Sequence, residues 1–147
     1  MKKNLLVSAC LLGIPCRFDG KSVPRVDILA LSERYNLIPV CPEIYGGLPT
    51  PRTPSERLFD RVLMADGADV TENFRRGADV TVKLARELFC EAALLKERSP
   101  SCGYGEIYDG SFSHTLMKGV GVAAEALSAL GIKIYGESEI EKLLSEY

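Results

Sequence analysis

Five cysteines stand in this chain of 147 residues, and three of them each follow an apolar run of strand character. Cys10 comes directly after residues 5–9 (LLVSA), Cys41 after residues 37–40 (LIPV), and Cys102 shortly after residues 92–96 (AALLK). If those strands are parallel neighbours, their carboxyl ends converge on one edge, where open α/β sheets bind ligands. Three thiols gathered there point to a soft metal or an iron–sulfur cluster with an open coordination position. An open position is where a substrate can react. A fourth thiol, Cys16, lies in the loop after Cys10 and is open to three roles: further ligand, sulfur-accepting thiol or structural residue. Four thiolates would saturate a cluster as in an electron carrier, whereas three would leave one iron free. Cys90 sits in a regular element beside Phe89 and reads as core, since free cysteine packs as a small hydrophobe.

Polar residues near these thiols could complete a reactive site. Glu43, two residues after Cys41, can give or take a proton if the site raises its pKa towards neutrality; helix capping or an ion pair is the competing role. Ser101, next to Cys102, can hydrogen-bond a cluster sulfide or a substrate, against the local turn bonding that serine does routinely. Arg52 and Arg17 are candidates for an anionic or carbonyl group of a substrate, each with a surface ion pair as the plainer account. His114, the one histidine, has no partner at ligand spacing and is read as outside the catalysis. No Cys-x-x-Cys pair occurs, so a structural zinc site is poorly supported.

The elements that must position these groups alternate between strand and helix. Asp27 is expected to cap a helix carrying Ile28, Leu31 and Tyr35, and four prolines and two glycines over residues 42–54 argue for an irregular loop. Thr71 is the expected N-cap of the longest helix. Its apolar stripe is Phe74, Ala78, Val82, Ala85 and Phe89, with Arg75, Arg76, Lys83 and Arg86 facing solvent. Residues 106–112, with Asp109-Gly110 at their centre, read as a hairpin or tight turn. A helix over residues 121–130 should bury Val122, Ala126 and Leu130 and end at a left-handed Gly131. A fourth strand at residues 132–135 and a short helix to Tyr147 follow. This alternation predicts one α/β domain over residues 1–147, a mostly parallel sheet flanked by helices in a Rossmann-like three-layer sandwich.

Composition narrows the function classes. With 46% hydrophobic and 26% charged residues the chain is globular in type, and its net charge of −2 offers no basic footprint for nucleic acid. The apolar stretch near the N-terminus is too short to span a bilayer, so neither a nucleic-acid nor a membrane partner is expected, and the oligomeric state stays open. An odd number of thiols and no leader sequence predict a reduced, cytoplasmic protein without a disulfide framework.

Several motifs in fixed order extend along nearly the whole chain: Ser8-Ala9-Cys10-Leu11-Leu12-Gly13, Cys16-Arg17-Phe18-Asp19-Gly20, Pro39-Val40-Cys41-Pro42-Glu43, Lys96-Glu97-Arg98-Ser99-Pro100-Ser101-Cys102-Gly103 and Tyr108-Asp109-Gly110-Ser111-Phe112. On these the chain resembles the DUF523 family, some members of which are thiouracil desulfidases. The resemblance implies a 4Fe–4S cluster held by three cysteines and a non-redox desulfuration of a small thiolated nucleobase. Carried over by position, the ligands are Cys10, Cys41 and Cys102, with Cys16 as the runner-up, and Glu43 and Ser101 match catalytic positions. Phe18 stands where many relatives carry tyrosine, which removes a hydroxyl. Two rival readings remain beside it: a four-cysteine binding or sensor module, and a metal-free sulfur-transfer enzyme using Cys16 or Cys102.

Overall fold

Apolar runs without polar alternation need cover on both faces, and this is how the chain uses its strongest ones. The computed structural model describes residues 1–146; Tyr147, where the last helix was expected to end, lies outside the described residues. The chain begins with β1 (Lys3–Ser8), α1 (Val26–Leu29), β2 (Tyr35–Val40), α2 (Pro42–Tyr45), β3 (Ser55–Leu58) and β4 (Arg61–Met64). It continues through α3 (Thr71–Glu87), β5 (Ala92–Leu95), β6 (Tyr104–Tyr108), β7 (Leu116–Val120), α4 (Val122–Ala129), β8 (Lys133–Gly136) and α5 (Ile140–Glu146). Four strands form one parallel sheet in the order β2-β1-β5-β8, and β3-β4 and β6-β7 are antiparallel pairs.

Residues alternate between the two faces of the sheet, and each face is covered by helices. Leu5, Val7, Ala92 and Leu94 pack with Ile28, Ile140 and Leu143, whereas Leu6, Ala93 and Leu95 pack with Ala85, Ala124 and Leu127. The sandwich expected from strand–helix alternation is the observed architecture. After β1 the chain leaves towards α1 on the first face; after β5 it leaves towards α4 on the second. Those two exits diverge, and the crevice between them is the ligand-binding position of an open α/β sheet.

Local details correct several expectations. Tyr35 is not helical: the first helix breaks into a 3-10 turn (Ala30–Glu33), and Tyr35 opens β2 opposite Lys3 with its ring buried. Asp27 lies inside α1 rather than before it. Pro39 is tolerated within β2 because that strand is the sheet edge. Residues 42–54 are not wholly irregular, since Pro42 takes the first helical position of α2, where its missing N–H costs nothing. Thr71 is the first residue of α3 and not its cap; its backbone N–H donates to Asp69 Oδ1 at 2.9 Å, and its hydroxyl accepts from the Val62 N–H at 2.9 Å. Phe89 falls beyond the helix with φ +52° and 86% exposure, so it leaves the apolar stripe. The basic residues of α3 are exposed as expected.

In α4 the buried positions are Ala123, Ala124 and Leu127, one step round from the expected set, and Leu130 is exposed. Gly131 does take the left-handed position, with Ile132 folding back so that its N–H reaches the Leu127 carbonyl at 3.3 Å. The Asp109-Gly110 segment belongs to a real hairpin, but the loop is long: β6 pairs with β7 only from Leu116 onward.

The one-turn helix α2 owes its position to two glycines. A Cβ on Gly77 would collide with the Pro42 carbonyl, and one on Gly46 with the Asn73 carbonyl, so α2 and α3 touch backbone to backbone. This contact fixes the segment carrying Cys41 and Glu43. Gly77→Ala should therefore lose about 1–2 kcal/mol net, because backbone overpacking outweighs the helix propensity gained by alanine. Urea unfolding reads that loss; an unchanged or higher midpoint would contradict the close approach.

Candidate active site

The crevice at the carboxyl edge of the sheet is a cavity of about 370 Å³. All four loop cysteines line it, together with Glu43, Arg52 and Ser101; Cys90 does not, and packs among Leu6, Val40 and Ala93. Cys10 sits in the 3-10 turn (Ala9–Leu12) that follows β1, Cys41 caps α2 after β2, and Cys102 ends the turn after β5. Cys10 and Cys16 belong to the core on one face of the sheet, and Cys102 to that on the other. The thiols therefore meet only at the sheet edge. Among the described residues no three ligand side chains close around a single-ion position.

The electrostatics divide these thiols. Burial pushes Cys10 up to about 11, partly offset by the Lys96 ammonium, and pushes Cys102 up to about 12 against hydrogen bonds from Ser8 and Ser101. Cys41 goes the other way, down to about 7, because Cys16 hydrogen-bonds to it and the Ile44 N–H at the start of α2 points at its sulfur. Cys16 is raised by the same contact and by burial. Cys41 is thus the first thiol to ionise as pH rises. In cluster-free protein, iodoacetamide should alkylate Cys41 with a rate that rises through pH 7, leaving Cys10 and Cys102 unmodified below pH 9. Peptide mass mapping checks this, and equal labelling of the three would contradict it.

Glu43 and Ser101 are distant in sequence and touch in space. Ser101 Oγ donates to Glu43 Oε2 at 2.8 Å, and Arg52 Nε donates to Glu43 Oε1 at 3.0 Å. Local turn bonding falls to Ser99 instead, whose Oγ accepts from the N–H groups of Ser101 (3.1 Å) and Cys102 (3.0 Å). Gly121 lets α4 start directly against this turn, since a Cβ there would meet the Ser101 backbone at 2.5 Å.

Arg52, expected at the substrate, has its guanidinium engaged within the protein. Besides Glu43 it donates to the carbonyls of Pro49 (3.2 Å) and Cys16 (2.9 Å) and to Thr50 Oγ1 (3.1 Å), and its side chain is 3% exposed. It ties the Cys16 loop to Glu43. Arg17 pairs with Asp19 at 3.8 Å and lies over the Phe18 ring at 5.7 Å.

Four further residues of the cavity wall escaped sequence reading. Ser8 ends β1 and Lys96 directly follows β5, the same positional signal that marked the cysteines: Ser8 Oγ accepts from the Lys96 N–H at 2.8 Å. Tyr108, which opens one of the shared motifs, and His114, which has no partner at ligand spacing, reach the wall from the β6–β7 hairpin.

A family model described as 2-thiouracil desulfurase matches residues 5–139. The uncharacterized protein YbbK of Bacillus subtilis (strain 168) is 38% identical over 150 residues, an alignment covering 95% of this chain and 99% of that protein. Among solved structures, the 4Fe–4S-dependent thiouracil desulfidase TudS matches with a TM-score of 0.92 and 42% identity, over 99% of this chain and 97% of that one.

Proposed function

The chain belongs to the 2-thiouracil desulfurase family, and from that premise we propose that it converts a thiolated pyrimidine and water into the oxo pyrimidine and hydrogen sulfide, without electron transfer. It is a desulfidase that cleaves a carbon–sulfur bond and uses a 4Fe–4S cluster. The observation that carries the reading is the Glu43–Ser101 hydrogen bond inside a thiol-lined cavity. Soft donors from three strand ends, spread wider than one ion's shell, suit a cluster better than zinc.

Cys10, Cys41 and Cys102 would hold the cluster. Cys16 is in hydrogen-bond contact with Cys41. A thiol in contact with the Cys41 sulfur would be poorly placed to serve as a separate ligand. Cys16 would stay beside the Cys41 ligand, whose sulfur lies 3.8 Å from the Cys16 carbonyl, and three ligands would leave one iron without a protein partner. When bound, the cluster supplies that iron as a Lewis acid for the thiocarbonyl sulfur, which polarises the carbon–sulfur bond.

The side chains do the rest. Glu43, oriented by Arg52 on one oxygen, takes the proton from the water that adds to the polarised carbon. Ser101, bonded to the other oxygen, holds the carboxylate towards the cavity and can carry a proton between it and the substrate. Arg52 positions Glu43.

Iron and acid-labile sulfide counts on anaerobically reconstituted single variants test the ligand set. The reading expects Cys16→Ala to keep the full cluster and measurable conversion of 2-thiouracil to uracil. Loss of iron in that variant, as complete as in Cys41→Ala, would favour the four-cysteine sensor module instead.

A further inference from the structure

The mouth of the cavity carries a feature that the proposed chemistry leaves unused. Its thiol end is buried, with Cys10, Cys16 and Cys102 at 7%, 4% and 5% exposure, whereas His114 on the same cavity wall is exposed. His114 occupies the left-handed region with φ +59°, and Phe112 two residues earlier does so with φ +57°. Such conformations are unfavourable for residues with a Cβ and persist only where surrounding structure imposes them.

Here the imposing group is Glu56 on β3. Its Oε1 accepts from the backbone N–H groups of Gly110 at 2.9 Å and Phe112 at 3.1 Å, which clamps the β6–β7 loop to the neighbouring hairpin. Asp109 closes the loop from within, its N–H donating to the Thr115 carbonyl at 3.0 Å and its Oδ1 accepting from the Ser111 N–H at 2.9 Å. The ring of His114 then meets that of Tyr108 edge-on, with centroids 6.2 Å apart and planes at 84°. Two hairpins, one carboxylate and one aromatic neighbour hold a single imidazole at the entrance.

We propose that His114 is a specificity-determining residue that reads the edge of the substrate ring remote from the carbon–sulfur bond. The inference rests on the desulfidase reading, which sends the sulfur inward to the thiols. The edge of a 2-thiopyrimidine remote from the sulfur, C4 to C6, then faces the mouth and presents a single C=O group. A ring N–H of His114 can donate one hydrogen bond to that carbonyl. Glu56 acts through the loop and is a positioning residue.

The test compares wild type, His114→Ala, His114→Gln and Glu56→Gln as cluster-reconstituted proteins, with iron content measured for each. Calorimetry gives the Kd for uracil, and turnover gives kcat and KM for 2-thiouracil. His114→Ala should raise Kd and KM about tenfold, the effect of losing one hydrogen bond, with the loss falling in KM rather than kcat. His114→Gln, which keeps an N–H donor, should recover most of it, and Glu56→Gln should shift KM in the same direction as His114→Ala. Unchanged Kd and KM in His114→Ala, or a loss confined to kcat, would overturn the proposal. Wild type that binds uracil but never turns over 2-thiouracil would overturn the desulfidase reading, while the Kd series still decides the role of His114. If His114→Ala does not fold, the glutamine variant against Glu56→Gln gives the same contrast.

Discussion

Cys102→Ala is expected to lose both the cluster and all desulfuration, while Cys90→Ala keeps both. The two residues are alike in chemistry and burial, at 5% and 7% exposure, so the contrast isolates location. Cys90 packs in the core under α3, away from the cavity. Cys102 lies on the cavity wall, its N–H held by Ser99 Oγ and its sulfur 3.8 Å from the Ser101 hydroxyl. Left to itself its thiol ionises only near 12, because burial penalises the thiolate. A bound iron would remove that proton outright, as metals do for coordinating thiols. Cys102→Ala takes away the sulfur without filling the space, so the fold should persist and the loss should be specific. Iron and sulfide per chain, with turnover measured on the same samples, check it. Substantial activity in Cys102→Ala without iron would restore the metal-free sulfur-transfer reading.

Glu43→Gln should keep the cluster and lower kcat by about 10²- to 10⁴-fold, the usual contribution of a positioned general base. Glutamine nearly preserves the shape, its oxygen still accepting from Arg52 and its amide N–H able to donate to Ser101 Oγ, but it cannot take a proton from water. The environment that makes Glu43 suitable is specific: a buried Arg52 on Oε1, the Ser101 hydroxyl on Oε2, and a side chain that is itself 14% exposed. Removing Ser101's hydroxyl leaves the base in place but less well directed, so Ser101→Ala should cost roughly 10- to 100-fold. Initial rates normalised to iron content measure both. A fall of less than tenfold in Glu43→Gln would remove it from the proton transfer.

The sequence made the sheet legible because its central strands are unbroken apolar runs, Leu5-Leu6-Val7 and Ala92-Ala93-Leu94-Leu95, whose physics allows little else. It made the thiols legible because each stands at a strand end. Tyr35 was assigned to a helix since it falls at helical spacing from Ile28 and Leu31, yet pairing with β1 outweighs that local pattern. The β3 segment, Ser55-Glu56-Arg57-Leu58, shows no alternation, so the hairpin that supplies Glu56 had no local signature. Contacts across long chain separations were hidden altogether. Nothing in the sequence itself joins Glu43 to Ser101, Arg52 to the Cys16 carbonyl, or Glu56 to the loop of His114; only folding brings those pairs together. The sequence leaves Arg52 open to a substrate group or an ion pair, and its burial among four acceptors is a tertiary fact.

The central claim is that sulfur leaves by hydrolysis at an iron left open by three cysteines, with no electrons consumed. Anaerobic turnover of 2-thiouracil in ¹⁸O-labelled water, with no reductant or oxidant present, tests it most directly. The account predicts many turnovers per cluster, one sulfide released per uracil, and one ¹⁸O atom in each uracil. Turnover that stops without an electron donor, or uracil formed without the label, would contradict it.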